Sequence, residues 1–442
     1  MAPRRSANGS NGSTQPLISE LRVKGFKSIA TEQRLAIRPL TILAGANSSG
    51  KSSMMQPALL IKQTLESSYD PGALSINGPN VKMTEFRQLF WGTGTNRPAD
   101  SIEITLDGRE IGLTLKFAEG ESGLELREQV MGRGPQKRVL RPDMSQEELR
   151  RLARVSLNSR SETLSTLRDR CFLVLKIENN TELVRGHVLD RDTAVEAARS
   201  FARKLIHVPG LRPWTAERGE RVYPKAAVGE SFAGAFDYYF ASVLNNWQRR
   251  DCDELVRVGE DLQDLSLTWK VEVEEVSDVA LSIRVARLPR KPPRGGTRDL
   301  VNMADVGFGV SQALPVVVAL RVANPGDTVY VEQPELHLHP RAQVSMATIL
   351  ADAAERGVRV IAETHSSLLL LGVQKLVAQG KLKPELVKLH WFQRDRDGAT
   401  TVTAADLDEN GAFGEWPEDF DDVSLKARKD YLDAVDSRSF VR

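Results

Sequence analysis

Short apolar runs separated by Gly, Asn and Pro open this chain and predict strands over residues 18–25, 34–37 and 40–44. Apolar residues then recur at helical spacing over 51–65, which predicts a first helix directly behind the third strand. Strand patterns return at 74–76, 101–106 and 111–117 between turn residues, and their close succession predicts an antiparallel sheet. Helical spacing dominates 145–170 and 194–204, and residues 232–247 read as an amphipathic helix. The runs 267–273 and 279–285 predict a hairpin, followed by a loop rich in Pro, Arg and Gly at 289–297. Beyond it lie an apolar helix at 313–320 and apolar strands at 327–331 and 358–362. A hairpin of 389–392 with 400–402 turns at Asp397-Gly398.

Composition narrows the class. A chain of 442 residues with 41% hydrophobic content can build one large or two medium domains around a real core. No run approaches the roughly 18 apolar residues of a membrane span. Residues 1–16 are rich in Ser and Asn, lack the apolar centre of a secretory signal, and read as a disordered tail. Cys171 and Cys252 are the only cysteines, which supports neither a disulfide scaffold nor a cysteine zinc site and points to a reducing cytoplasm. The formal charge of +1 predicts no global affinity for nucleic acid, so any such affinity must be local.

Candidate chemistry begins where the third strand meets the first helix. Gly45-Ala46-Asn47-Ser48-Ser49-Gly50-Lys51-Ser52 fits the phosphate-loop pattern G-x-x-x-x-G-K-[ST] at every fixed position, with the required strand before it and helix after it. Backbone N–H groups of such a loop converge on phosphates, aided by the positive end of the helix dipole. Lys51 would reach the β and γ phosphates of ATP, and the Ser52 hydroxyl would ligate Mg2+. Far downstream, Asp327-Thr328-Val329-Tyr330-Val331-Glu332 is an apolar strand ending in an acid, followed by Gln333-Pro334-Glu335. A carboxylate at such a strand end holds the water shell of Mg2+, and Glu332 is the candidate. The strand at 358–362 runs into Glu363-Thr364-His365-Ser366, placing His365 where it could sense the γ-phosphate; taken singly it reads as a capping or core histidine. Between the two, Gly307-Phe308-Gly309-Val310-Ser311-Gln312 precedes an apolar helix and forms a second anion-binding helix start. Glu335 with His337 and His339 resembles a ligand cluster, but the alternation that buries Leu336 and Leu338 turns the histidines the other way, against a metal site.

Phosphate loop, Gly/Ser/Gln helix start, acidic strand and strand-end histidine follow one another in the order of ABC-type ATPase heads. In detail the chain resembles the AAA-domain ABC ATPases related to RecF, the SMC heads and the overcoming-lysogenization-defect proteins. Phe26-Lys27-Ser28, Gly45 to Ser52, Glu332 to Pro340 and Glu363 to Ser366 carry the resemblance. The stretch from Gly307 to Pro315, His207 to Arg212 with Tyr223, and the tail Leu407 to Gly411 with Trp416-Pro417 are similar to a compact branch of that class. The resemblance implies an ABC-type head with an inserted lobe, divided into a tail (1–16), an N-terminal head part (17–130), an inserted helical and β lobe (131–298) and a C-terminal head part (299–442). It implies nucleotide contacts from Lys27 and from the loop through Ser53, while Ser311 and Gln312 would approach the γ-phosphate held by a second copy. It therefore implies a homodimer closing on ATP and Mg2+, as resembled heads do in DNA repair and antiphage defence, with an associated nuclease as effector.

The chain departs from that class at one position. Such heads place a glutamate after the Mg2+ acid to orient the attacking water, and here Gln333 stands there. Glutamine cannot accept the proton, and loss of a positioned base costs about 10² to 10⁴ in rate. Either Glu335 takes the role, giving slow hydrolysis, or ATP merely stabilises a clamp or scaffold; Glu335 could also be an acid at a helix start, without catalytic part. Asp395-Arg396-Asp397 reads as a turn rather than a nuclease site. Basic residues crowd 133–154 and 284–298, and the second, a Pro-rich loop beside the signature-like helix, could track the phosphates of double-stranded DNA or be a solvated surface.

Overall fold

A computed structural model describes residues 18–92, 99–121, 123–153, 162–179, 193–212, 222–293, 299–414 and 429–433. The expectations for residues 1–16, Arg154, Arg294, Arg298 and Trp416-Pro417 fall outside them. The chain begins with β1 (Glu20–Lys24) and β2 (Gln33–Ala36), then β3 (Leu40–Gly45) and, after the glycine loop, α1 (Lys51–Glu66). β4 (Ile102–Asp107), β5 (Gly112–Gly120), β6 (Gly123–Met131) and β7 (Arg138–Leu140) extend a wholly antiparallel sheet of order β2-β1-β4-β5-β6-β7, as the turn spacing predicts.

Two expectations are corrected. Residues 74–76 form no strand, because side chains of α1 take up the backbone groups there: Gln63 Nε2 donates to Ser75 O at 2.5 Å, and Ser75 N donates to Thr64 Oγ1 at 2.8 Å. Within 145–170 the helical spacing holds only over α2 (Gln146–Ala153), and β8 (Glu162–Asp169) turns back at Arg170, whose φ is 59°, to pair with β9 (Phe172–Asn179). Cross-strand pairing supplies that segment's backbone partners and overrides its local helical pattern.

α3 (Thr193–Arg203) leads into β10 (Leu205–Val208), and β11 (Tyr223–Pro224) follows. The expected helix at 232–247 is shorter, as α4 (Phe240–Arg249), and α5 (Asp253–Asp264) follows it. β12 (Val271–Ser277) and β13 (Ala280–Ala286) form the predicted hairpin, joined by β11 and β14 (Leu300–Asn302). α6 (Phe308–Val322) is apolar around its whole circumference, so it is buried from Val310 to Leu320 and tied to α5 by Arg321 and Asp261 at 2.6 Å. β15 (Thr328–Glu332), α7 (Pro340–Glu355), β16 (Arg359–Thr364), α8 (Ser367–Ala378), β17 (Val387–Arg394) and β18 (Thr400–Ala405) complete the described order.

The central sheet runs β10-β15-β16-β3-β17-β18, parallel except for its final hairpin. β3 and β16 are buried at every position, as strands covered on both faces must be. Alternate residues serve two cores: Ile42 packs with α6, α7 and α8, while Leu43, Tyr330 and Ile361 pack with α1 and the antiparallel sheet. β10 lies within the 131–298 stretch, so that stretch supplies the edge strand of the central sheet. Among the described residues no helix is long and apolar enough to cross a membrane.

His390 on β17 donates from Nε2 to Ala36 O at 3.0 Å, and burial is the main cause that pushes its pKa down to about 4. The unfolded chain therefore binds a proton that the folded chain refuses between pH 4 and about 6.5, and stability is lost as pH falls through that window, by roughly 3 kcal/mol at most. Denaturant unfolding of wild type and His390→Phe at pH 7 and pH 4.5 checks this: the variant should lose most of that acid slope.

Candidate nucleotide site

The parallel sheet brings four segments to one place: the loop after β3, the ends of β15 and β16, and the segment after β10. The loop is shaped by backbone conformation and by what lies behind it. Gly45 has φ 150° and packs so closely on β17 that a Cβ would meet Phe392 O at 2.3 Å; Gly50 has φ 104° and would meet Thr400 Oγ1 at 2.2 Å. Ser48 also adopts a left-handed conformation. Arg394 Nε donates to Ser48 O at 2.8 Å, and the Thr400 hydroxyl lies 2.8 Å from both Ser49 O and Ser28 Oγ. Lys27, at φ 49°, sits beside Ser28, and burial lowers its pKa.

Lys51 is buried inside the loop, with Nζ donating to Ala46 O at 2.8 Å and Gly45 O at 3.0 Å, and lying 3.4 Å from Ser49 Oγ. Burial lowers its pKa, against the opposing pull of Glu363 and Glu335. His365 Nδ1 stands 2.8 Å from Gly45 O, so this nitrogen carries the proton and Nε2 is the acceptor of the neutral ring. Burial and then the Lys51 charge lower the pKa of His365 and favour that neutral ring. His365, far from Lys51 in sequence, thus meets it at the loop. Asn47 and Ser53 flank them in the chain.

The acids are distributed in a way that the sequence does not disclose. Glu332 places Oε1 3.1 Å from His207 Nε2 and accepts the Gly210 N–H on Oε2 at 3.1 Å. Burial pushes its pKa up, but the His207 hydrogen bond and the other donors outweigh this and leave it lowered. The carboxylate at Ser52 is that of Glu363: Ser52 Oγ donates to its Oε1 at 2.9 Å, and the Tyr330 hydroxyl to its Oε2 at 2.8 Å. Burial and then the Glu332 charge raise the pKa of Glu363. Glu335 is not a helix-capping acid, because His339 caps α7 through Nδ1. Instead its Oε1 accepts the Thr364 hydroxyl at 2.6 Å and the His365 N–H at 3.0 Å. Its Oε2 is buried without a hydrogen-bond partner among the described residues, and burial raises its pKa. Gln333 adopts φ 47° and donates its N–H to Glu363 O at 2.7 Å, so the acidic strand ends in a sharp turn at this residue.

Ser311 and Gln312 lie in the first turns of α6 with their side chains engaged within this copy: Ser311 Oγ donates to Phe308 O at 2.9 Å, and Gln312 Nε2 to Arg212 O at 3.2 Å. Arg212 joins this helix start to the acidic strand. Its guanidinium donates to Gln312 O at 3.0 Å, Glu332 O at 2.6 Å and Gln333 O at 3.2 Å, and burial brings its pKa down to about 10. Sequence reading assigned no role to His207, Arg212, Tyr330 or Glu363. A glutamate inside an otherwise apolar strand was the available signal for Glu363.

The basic stretches carry much of their charge in ion pairs. Arg133 pairs with Asp107 at 2.6 Å, and Arg284 with Glu274 at 2.7 Å. Arg290 and Lys291 are exposed, with Lys291 Nζ 5.9 Å from the Trp269 ring centre.

The donor set suits phosphates and a hard divalent cation. It combines a lysine, a serine hydroxyl and carboxylate oxygens, and the buried Glu335 Oε2 is an acceptor without a partner among the described residues. Residues 294–371 match the family described as "AAA domain, putative AbiEii toxin, Type IV TA system". The matched segment takes in α6, β15, α7 and β16, while the phosphate loop lies outside it. No curated protein matches the chain. Among solved structures, an SMC head bound to the C-winged helix domain of ScpA is similar at 13% identity over 89% of this chain and 99% of that one, with a TM-score of 0.46. The Thermotoga maritima SMC head domain is similar at 11% identity over 88% and 99%, with a TM-score of 0.39. A Pyrococcus yayanosii Smc head with coiled coil and joint is similar at 13% identity over 90% and 98%, with a TM-score of 0.43. The fold is mixed α/β, with the acidic, histidine and phosphate-loop strands side by side and an antiparallel sheet beyond α1.

Removing Arg212 would leave the Gln312, Glu332 and Gln333 carbonyls short of a donor in a buried site. Arg212→Ala should lower the unfolding free energy by roughly 2–4 kcal/mol, measured by denaturant titration, with Arg212→Lys recovering part of the loss.

Proposed function

We propose that this protein binds ATP with Mg2+ at Gly45 to Ser52 and hydrolyses it slowly, two copies closing on the nucleotide to control a separate effector or a nucleic-acid transaction. The observation that carries this reading is the convergence of Lys51, Ser52, His365, Glu335 and Glu363 on one phosphate loop. Lys51 holds phosphate oxygens after leaving the Gly45 and Ala46 carbonyls. Ser52 and a strand-end carboxylate would hold Mg2+, which would supply charge neutralisation on the phosphates. Glu335 supplies the base that Gln333 cannot. As the water oxygen bonds to the γ-phosphorus and the bond to the ADP oxygen breaks, the water proton passes to Glu335 Oε2. Supporting this role, Oε1 is fixed by Thr364 and His365 while Oε2 is free, and the burial that raises the pKa of Glu335 suits it to accept a proton. His365, anchored through Nδ1 on Gly45 O, donates from Nε2 to the γ-phosphate once the phosphate charge has drawn a proton onto that nitrogen.

Closure of two copies is supported by Phe308 at the start of α6. Its side chain is 54% exposed and its ring lies 5.7 Å from that of exposed His337, an apolar surface at the signature-like helix. The second reading, an ATP-stabilised scaffold without turnover, rests on Gln333.

Steady-state hydrolysis of the purified protein separates the two. Glu335→Gln should lower kcat by about 10² to 10⁴, and Lys51→Ala should abolish nucleotide binding. Unchanged turnover in Glu335→Gln together with a gain in Gln333→Glu would move the base to position 333. Tight ATP binding by wild type with no phosphate release would establish the scaffold. Arg290 and Lys291 test the nucleic-acid branch: reversing both charges should weaken binding of double-stranded DNA and flatten its salt dependence, and equal binding would leave the loop as solvated surface.

A further inference from the structure

The acid expected to hold Mg2+ from its position in the sequence is Glu332, yet both of its oxygens already have partners in the protein. One faces His207 Nε2, which stacks at 5.4 Å on the Tyr330 ring, and the other accepts the Gly210 N–H. Gly210 approaches so closely that a Cβ there would lie 3.3 Å from Glu332 Oε2, so the segment after β10 is fitted to this carboxylate. The strand order adds a geometric reason. β16 lies between β15 and β3, with Glu363 in register with Leu43 on one side and Glu332 on the other. Glu363 is thus one strand from the phosphate loop and Glu332 is two, a difference of about 4.8 Å.

We propose that Glu363, with Ser52, holds the Mg2+ of the bound nucleotide, and that Glu332 is a positioning residue clamped by His207 and Gly210. The inference rests on the ATP-binding reading above. Glu363 touches the Ser52 hydroxyl, the group a phosphate loop uses to ligate the cation, and its second oxygen is fixed by the Tyr330 hydroxyl. An independent feature marks the space as built for a ligand. Glu335, 7% exposed, keeps Oε2 unpartnered on the carboxylate that grips His365 N–H, and its charge, like that of Glu363, acts on Lys51. A hard divalent cation is bound by oxygen donors of this kind, directly or through its waters.

The experiment measures affinity for a fluorescent ATP analogue with Mg2+ and with EDTA, using the full chain and its Glu363→Gln, Glu332→Gln and Tyr330→Phe variants. Wild type should bind more tightly with Mg2+. Glu363→Gln should lose at least tenfold of that Mg2+-dependent gain and keep its affinity in EDTA, while Glu332→Gln should keep the gain. Tyr330→Phe, which removes only a hydroxyl, should reduce the gain severalfold and guards against a Glu363 variant that fails to fold. A full gain in Glu363→Gln, or its loss in Glu332→Gln, overturns the assignment. Absence of analogue binding by wild type would instead sink the ATP-binding reading on which it rests.

Discussion

Too many buried carboxylates for the cations beside them is the condition on which this site depends. Glu332, Glu335 and Glu363 are drawn from two adjacent strand ends, and the cations within reach are Lys51 and Arg212. Burial disfavours the charged form of each group, so Glu335 and Glu363 are raised while Lys51 is lowered. Only Glu332, with His207, Gly210 and Arg212 around it, moves the other way. Hydroxyls of Ser52, Tyr330 and Thr364 supply the remaining donors. Under the proposed function, a cation arriving with anionic phosphates would change the charge balance of this whole cluster.

Much of the cluster is held from outside the local motifs. His207 and Arg212 come from the segment after β10, at the edge of the central sheet. Thr400 and Arg394, on the hairpin at the opposite edge, fix the carbonyl side of the phosphate loop. The loop is thus braced by one edge of the sheet and its acids by the other. Arg212 further ties the start of α6 to the turn at Gln333. The exposed Phe308 stands one turn from that contact.

Features carried by contiguous residues were legible in the chain. A phosphate loop is a backbone device whose glycines, lysine and serine are neighbours in sequence, so Gly45 to Ser52 announces both its conformation and its helix. The hairpin turned at Asp397-Gly398 and the strand running into His365 are likewise local, as their apolar runs and turn residues lie side by side. What only the tertiary structure decided depends on which strands become neighbours. Helical spacing dominates 145–170, and pairing with β9 overrode it in β8. The ordering of β15, β16 and β3 brought Glu363 rather than Glu332 to Ser52, and turned Arg212 inward as the link to α6. Hydrogen bonds between residues a hundred or more positions apart leave no trace in local pattern, because their partners are chosen by the packing of the sheet.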